Sequence, residues 1–168
     1  MSSRIDPAAY EDDIGTVSSR EFGEITRRQV RRYARAVEDD NPLYTDVEFA
    51  REQGYDDLVV PPNFLSAVID PGAGKPADEL RRDGTAPDSI PVTIPEDAML
   101  MGGGQDITIN RYVTAGESIT EEETFTDIYQ KDAEFGTLTF VERTSEYVAD
   151  EAAPCIECDK TLIVGDAP

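Results

Sequence analysis

The sequence predicts an α+β fold in which one antiparallel sheet wraps around a buried helix. Three observations predict it. From Met99 onward the chain reads as strand after strand. One stretch near the middle, residues 61–70, is apolar nearly all round, as a buried helix is. A sheet with one apolar face needs an element to cover it, and that helix is the best candidate.

Each element has its own signal. Residues 1–13 are polar and acidic and read as a loose tail before a single domain over 14–168. A first strand fits "GTVSSREFGEI". In "ITRRQVRRYARAVEDD", Thr26 and Gln29 form a capping box, and Val30, Tyr33, Ala34 and Val37 recur at helical spacing. This predicts a helix from Thr26 to Glu38 that stops before "DNP", since the residue before proline resists helical geometry. "TDVEFAREQG" predicts a short second helix, capped by Asp46 and ended by Gly54. In "LVVPPNFLSAVID", Pro61 and Pro62 suit the first turn of the apolar helix. Residues 70–96 are rich in proline, glycine and charge and read as a long loop.

Four strands follow, at "MLMGGGQDITINRYV", "ESITEEETFTDIYQKD", "GTLTFVERTSEYVAD" and "PCIECDKTLIV". Glycine and acidic residues separate them at hairpin spacing. The second alternates least cleanly: Ile119, Glu121, Glu123 and Phe125 form one set against Thr120, Glu122, Thr124 and Thr126. A sheet around one central helix is the hot-dog arrangement.

Composition narrows the functions. The 168 residues suit one domain with its own core. The net charge of −21, from 36 acidic and 15 basic residues, excludes nucleic acid, whose phosphates need a basic surface. The apolar runs are periodic, which disorder does not produce. High charge of one sign, with Lys75, Lys131 and Lys160 the only lysines, reads as a surface kept hydrated in concentrated salt, a halophile-type sequence. No run approaches the roughly 18 apolar residues of a membrane helix, and residues 1–13 show no secretory pattern. A soluble, cytoplasmic protein with no membrane partner is the expectation.

Cys155 and Cys158 lack the further ligands that zinc needs. Three apart on a strand, their thiols are expected on opposite faces. Gly102, Gly103 and Gly104 lack the Lys-Ser/Thr and the strand-to-helix setting of a phosphate loop. They read as a place where the strand bends or another backbone passes closely.

"YARAVEDDNPLYTDVEFAREQGYDDLVVPPNFL" resembles the MaoC-like hydratase and dehydratase family. The branch it looks most like is that of the FAS1-like dehydratase N-terminal domain. The resemblance continues through "GGGQDITINRYVTAGESI" and covers roughly residues 14–164. In catalytic members the motif reads Gly-Asp-x-Asn-Pro-[Leu/Ile/Val]-His, and the Asp and His activate a water that adds across an enoyl thioester. Here Glu38 stands at the glycine position and Asp39 at the aspartate. Asn41, Pro42 and Leu43 match. Tyr44 stands at the histidine, and the chain has no histidine at all. A phenol with a pKa near 10 is a poor base at neutral pH, where a histidine near 6.5 is a good one.

The resemblance therefore implies a subunit of an (R)-specific enoyl-CoA hydratase or 3-hydroxyacyl-thioester dehydratase, as the half without the catalytic pair. A second hot-dog subunit carrying Asp and His is the implied partner, with a self-dimer as the other assembly. The substrate would be an acyl-CoA or acyl carrier protein thioester, and no metal or redox cofactor is implied. Asp39 and Asn41 are then vestigial motif positions. Alternatively they simply make an Asx-type turn after a helix. Tyr44, Gly103 and Gly104 are candidates for substrate contact. So are Pro62 and Asn63, where N–H groups at a helix start can polarise a thioester oxygen. Arg28 and Arg32, in a dense arginine cluster, are candidates for coenzyme A phosphates, against a plain solvated helix face. Two rivals stand beside this reading: a thioesterase-like hot dog using Asp39, and a non-enzymatic acyl-CoA-binding regulator.

Overall fold

The computed structural model describes residues 5–67, 74–88, 90–134, 136–149 and 153–166. Five strands, β1 (Val17–Glu24), β2 (Ala98–Ile109), β3 (Ser118–Ala133), β4 (Gly136–Ala149) and β5 (Ile156–Asp166), form one antiparallel sheet in the order β1-β3-β4-β5-β2. Among the described residues, three α-helices, α1 (Arg27–Ala36), α2 (Val47–Glu52) and α3 (Phe64–Ala67), lie between β1 and β2. This is the hot-dog arrangement expected from the sequence. None of the described helices is long and apolar enough to cross a membrane.

Local chemistry sets the helix ends. Thr26 Oγ1 accepts from Gln29 N (3.3 Å) and Gln29 Oε1 accepts from Thr26 N (2.8 Å), the reciprocal cap that starts α1. α1 ends at Ala36, two residues before the expected Glu38. Asp46 Oδ1 accepts from Glu48 N and Phe49 N and starts α2. Pro61 and Pro62 were expected inside the first turn of the apolar helix. They precede it instead, in a turn closed by Phe64 N donating to Pro61 O (2.9 Å). The expected continuation of that helix over 68–70 lies outside the described residues.

The N-terminal segment departs from expectation. Residues Pro7–Asp13, read as loose, form a 3-10 helix. Ile5 is buried, its carbonyl accepts from Gln130 Nε2 (2.7 Å), and the Tyr10 hydroxyl accepts from Thr93 N (3.1 Å). Proline spacing and one isoleucine carry little periodic signal, so the packing of this segment was hidden.

The inner face of the sheet has three zones. At one end Ile119, Tyr147, Ala149, Ile156 and Cys158 pack with Phe64 and Leu65 of α3 and with Val30 and Ala34 of α1. At the other end Phe125, Ile128, Val141 and Val164 pack under Ile5 and the loop residues Ile90, Val92 and Ile94. Between them runs a belt of charge. Glu121 is 2% exposed and meets Lys160 Nζ at 2.9 Å and Arg20 through Nε (2.9 Å) and Nη2. Glu123 accepts from Arg143 Nη1 (2.8 Å) and Ser145 Oγ (3.2 Å). Buried charges persist only when paired in this way.

Cys155 and Cys158 are both fully buried in the first zone. Opposite faces were expected, but Cys155 precedes β5, so the alternation of a strand does not apply to it. Its Sγ meets Tyr147 O at 2.8 Å.

Candidate functional site

The candidate site is the loop between α1 and α2. Asp39 N donates back to Ala34 O (2.9 Å), which closes α1. To leave the helix the chain passes through Glu38 at φ 57°, the only positive φ among the described non-glycine residues. A residue with a Cβ resists this region, which glycine enters freely. The loop thus keeps a backbone shape that suits glycine at a position held by glutamate.

Two side chains then fold the loop on itself. Asp39 Oδ1 accepts from Asn41 N (3.1 Å), and Asn41 Oδ1 accepts from Leu43 N (3.0 Å). Asn41 caps a one-turn 3-10 helix, Pro42–Tyr44, in which Tyr44 N donates to Asn41 O (3.0 Å). These are Asx turns, and they account for both residue types without any chemistry. Asp39 is exposed and Asn41 half-buried.

Tyr44 points into the core and is 8% exposed. Burial pushes its hydroxyl pKa up, and the charge of Asp39 and the nearby Tyr112 and Tyr55 add to this. A hydrogen bond with the Asn41 side chain opposes the rise without reversing it. The group at the histidine position is therefore a neutral phenol at neutral pH, with even less of the basic phenolate than a free tyrosine would have.

Tyr55 and Tyr112 were not singled out from the sequence. Their rings meet edge to face with centroids 6.1 Å apart, and Tyr112 remains 45% exposed. They come together because Val60 N donates to Val113 O (2.8 Å) and Val59 bridges Thr114, which ties the strand end after β2 to the segment before α3. No local pattern announces such a contact between residues 57 apart in sequence.

The other expected residues are spread out. Pro62 is half-buried and Asn63 exposed at the turn into α3; Phe64 beside them stacks edge to face on Tyr33 (5.3 Å). Phe64 and Tyr44 share one apolar cluster, so the motif loop and the start of α3 are neighbours in the core. Gly103 and Gly104 lie on β2, at the sheet's edge, in a bulge opposite Leu162 and Thr161. A Cβ on Gly103 would stand 2.6 Å from Thr161 Cγ2, so glycine is required by close approach, and Gly104 has φ 131°. Arg28 and Arg32 are exposed on α1. Their neighbours Arg27 and Arg31 are committed to structure, Arg27 Nε to Asp57 Oδ1 (2.7 Å) and Arg31 Nε to Thr45 O (3.1 Å).

The description "FAS1-like, dehydratase domain region" matches residues 12–156. Among curated proteins, a UPF0336 protein of Parafrankia sp. (strain EAN1pec) is 32% identical over 105 residues, 62% of each chain. The chain thus spans about 62% of the length of the curated relatives it matches first. Solved structures share the fold at low identity. A MaoC-like dehydratase superposes with TM-score 0.67 at 20% identity, over 92% of this chain and 42% of the other. The HadBC (3R-hydroxyacyl-ACP dehydratase) complex from Mycobacterium tuberculosis gives 0.62 at 23% identity, over 89% and 96%. The ChsH1–ChsH2 complex from the same organism gives 0.65 at 17% identity, over 90% and 86%.

Proposed function

The chain belongs to the family of FAS1-like dehydratase regions, and from that premise we propose that it is the non-catalytic half of an (R)-specific enoyl-thioester hydratase or 3-hydroxyacyl-thioester dehydratase. Its partner is a second hot-dog subunit that carries the Asp–His pair. One observation carries this reading: the motif loop keeps its turns while the catalytic position holds a buried, neutral Tyr44.

The reaction needs a base to take a proton from water as its oxygen bonds to the β-carbon, and an acid to deliver a proton to the α-carbon. Dehydration runs the same steps backwards. In this reading the partner does both. Here Asp39 and Asn41 serve as turn formers. Tyr44, Pro62, Asn63, Gly103 and Gly104 belong to walls near the acyl thioester, and Arg28 and Arg32 offer guanidinium groups to coenzyme A phosphates.

The fold supports pairing through β2. It is an edge strand of 12 residues with Met99, Gly102 and Ile109 exposed, whereas the other edge, β1, has eight. A long open edge is a template for a second chain. Two similar folds are recorded as complexes of two named components.

The test is co-purification in high salt, followed by hydration of crotonyl-CoA. Recovery of a histidine-bearing hot-dog protein, with activity only in the mixture, is the expected result. A chain that binds acyl-CoA and gives no hydration with any hot-dog subunit would overturn the reading in favour of a regulatory protein.

A further inference from the structure

The outer face of the sheet, turned away from the helices and the long loop, is divided in two. Strand alternation and register set its side chains in rows across the strands. One row holds Lys131 of β3, Leu138 of β4, Gly165 of β5 and Met99 of β2. The next holds Tyr129, Phe140, Ile163 and Met101. From the third row on the face is acidic, with Asp127 and Glu142, then Asp159, then Glu122, Glu146 and Glu157. Met99 is 40% exposed, and the other apolar side chains of the first two rows are half-buried. None of them belongs to either packed zone of the inner face. The two rows are level. The Tyr129 and Phe140 rings stack in parallel with centroids 5.0 Å apart, and Lys131 Nζ lies over them at 5.0 and 4.9 Å. A Cβ on Gly165 would stand 2.8 Å from Leu138 Cδ2, so that side chain lies across the glycine. A flat apolar patch beside a field of carboxylates reads as a contact surface.

Charge selects what covers it. The chain carries a net −21, so a second copy is repelled wherever carboxylates meet carboxylates. These two rows are free of them. A basic partner would suit the acidic rows but not Lys131, the one cation that strand alternation places on this face among the described residues. We propose that a second copy of this chain packs on these rows, face to face, about a two-fold axis that crosses the strands between them. Leu138 of one copy then faces Phe140 of the other, and Met99 faces Met101. Ile163 faces Gly165, which has no side chain to oppose it. Asp127 and Glu142 come to lie over Ala133 and Gly136 of the other copy, beside its Lys131. Packed sheets stand about 10 Å apart, a gap that Lys131 and Asp127 bridge together. A two-fold axis along the strands would instead lay acidic row on acidic row.

The contact is isologous and closed, so it stops at two copies. It uses side chains of the outer face and leaves the backbone edge of β2 open. The inference therefore stands apart from the half-enzyme reading. With a hot-dog subunit on the β2 edge as well, the assembly becomes a pair of pairs.

The experiment is analytical ultracentrifugation of the full chain at low and high salt. Two rows make a small interface, so the pair is weak, with a Kd on the order of micromolar. Wild type is expected to dimerise reversibly, and more tightly in high salt, which screens the net repulsion. Met99→Glu, at an exposed position, should weaken the dimer at least about tenfold, because it sets two carboxylates inside the contact. Lys131→Glu and Asp127→Lys should each weaken it about threefold or more, and the double variant should return to within about twofold of wild type. Circular dichroism checks that each variant folds. A wild-type chain that stays monomeric at high salt overturns the proposal. So does a dimer that keeps its affinity in Met99→Glu and Lys131→Glu, which would place the pairing on the β2 edge. A double variant weaker than either single one overturns the two-fold arrangement.

Discussion

Lys160 Nζ stands 2.9 Å from Glu121 Oε1 on the inner face of the sheet, and the pair joins β5 to β3 across Tyr147 of β4. The Tyr147 hydroxyl accepts from the same ammonium group at 3.2 Å. Burial alone would raise the Glu121 pKa. Lys160, Ser145 and Arg20 outweigh it and hold the group at about 2. Burial, reinforced by the Glu121 charge, pushes the Tyr147 phenol well above its usual value.

The first prediction follows from that carboxylate. Its folded pKa lies below the unfolded one, so it stabilises the fold fully above about pH 4.5 and progressively less as pH falls toward 2. The contribution is on the order of 3 kcal/mol. Glu121→Gln is expected to lower stability at pH 7 and to flatten the acid limb between pH 4.5 and 2, measured by urea unfolding across that range. An acid limb of the same slope in the variant would show that other groups set it.

The belt also shows what the sequence discloses. The order of elements, the capping box at Thr26, the strand positions and the glycine demand at Gly103 were all legible, because each rests on local periodicity or sterics. The belt was legible only as a fault. Ile119, Glu121, Glu123 and Phe125 share a face, and two carboxylates interrupt an apolar set. Their cations, Arg143 and Lys160, sit on other strands, so the pairing needed the sheet order. The Asx turns of the motif loop were one of two readings of Asp39 and Asn41, legible because each side chain bonds to the backbone two residues on. The burial of Tyr44 and its apposition to Tyr55 and Tyr112 depended on long-range contacts. The 3-10 segment at Pro7–Asp13 was missed because its anchor residues, Gln130 and Thr93, are distant in sequence.

Glu38 supplies a second prediction. At φ 57° a side chain costs about 1–2 kcal/mol, and glycine gives back part of the relief as unfolded-chain entropy. Glu38→Gly should stabilise the chain by about 0.5–1 kcal/mol, whereas Glu38→Ala should give no gain. Denaturant midpoints at constant slope provide the comparison.

Gly103 supplies a third. Gly103→Ala places a methyl group 2.6 Å from Thr161 Cγ2. Overpacking of this kind costs about 1–3 kcal/mol. Adding Thr161→Ser, which removes that methyl, should recover part of the loss. A double variant as unstable as the sum of its parts would place the strain elsewhere.

A fourth concerns the vacant base. The Asx turns of Asp39 and Asn41 hold the loop whatever stands at position 44. Tyr44→His should therefore bring an imidazole to the Asp39 side of the core. Crotonyl-CoA hydration by this variant should exceed the background rate of the wild-type chain by at least about tenfold, less than the roughly 100-fold or more that well-positioned general acid–base catalysis contributes.

The most direct measurement is hydration of crotonyl-CoA by the purified wild-type chain alone, beside Asp39→Asn and Tyr44→Phe. The half-enzyme account predicts no rate above the enzyme-free background for any of the three. A wild-type rate typical of a hydratase, lost in Asp39→Asn or Tyr44→Phe, would contradict it and make the buried tyrosine a catalytic residue in its own right.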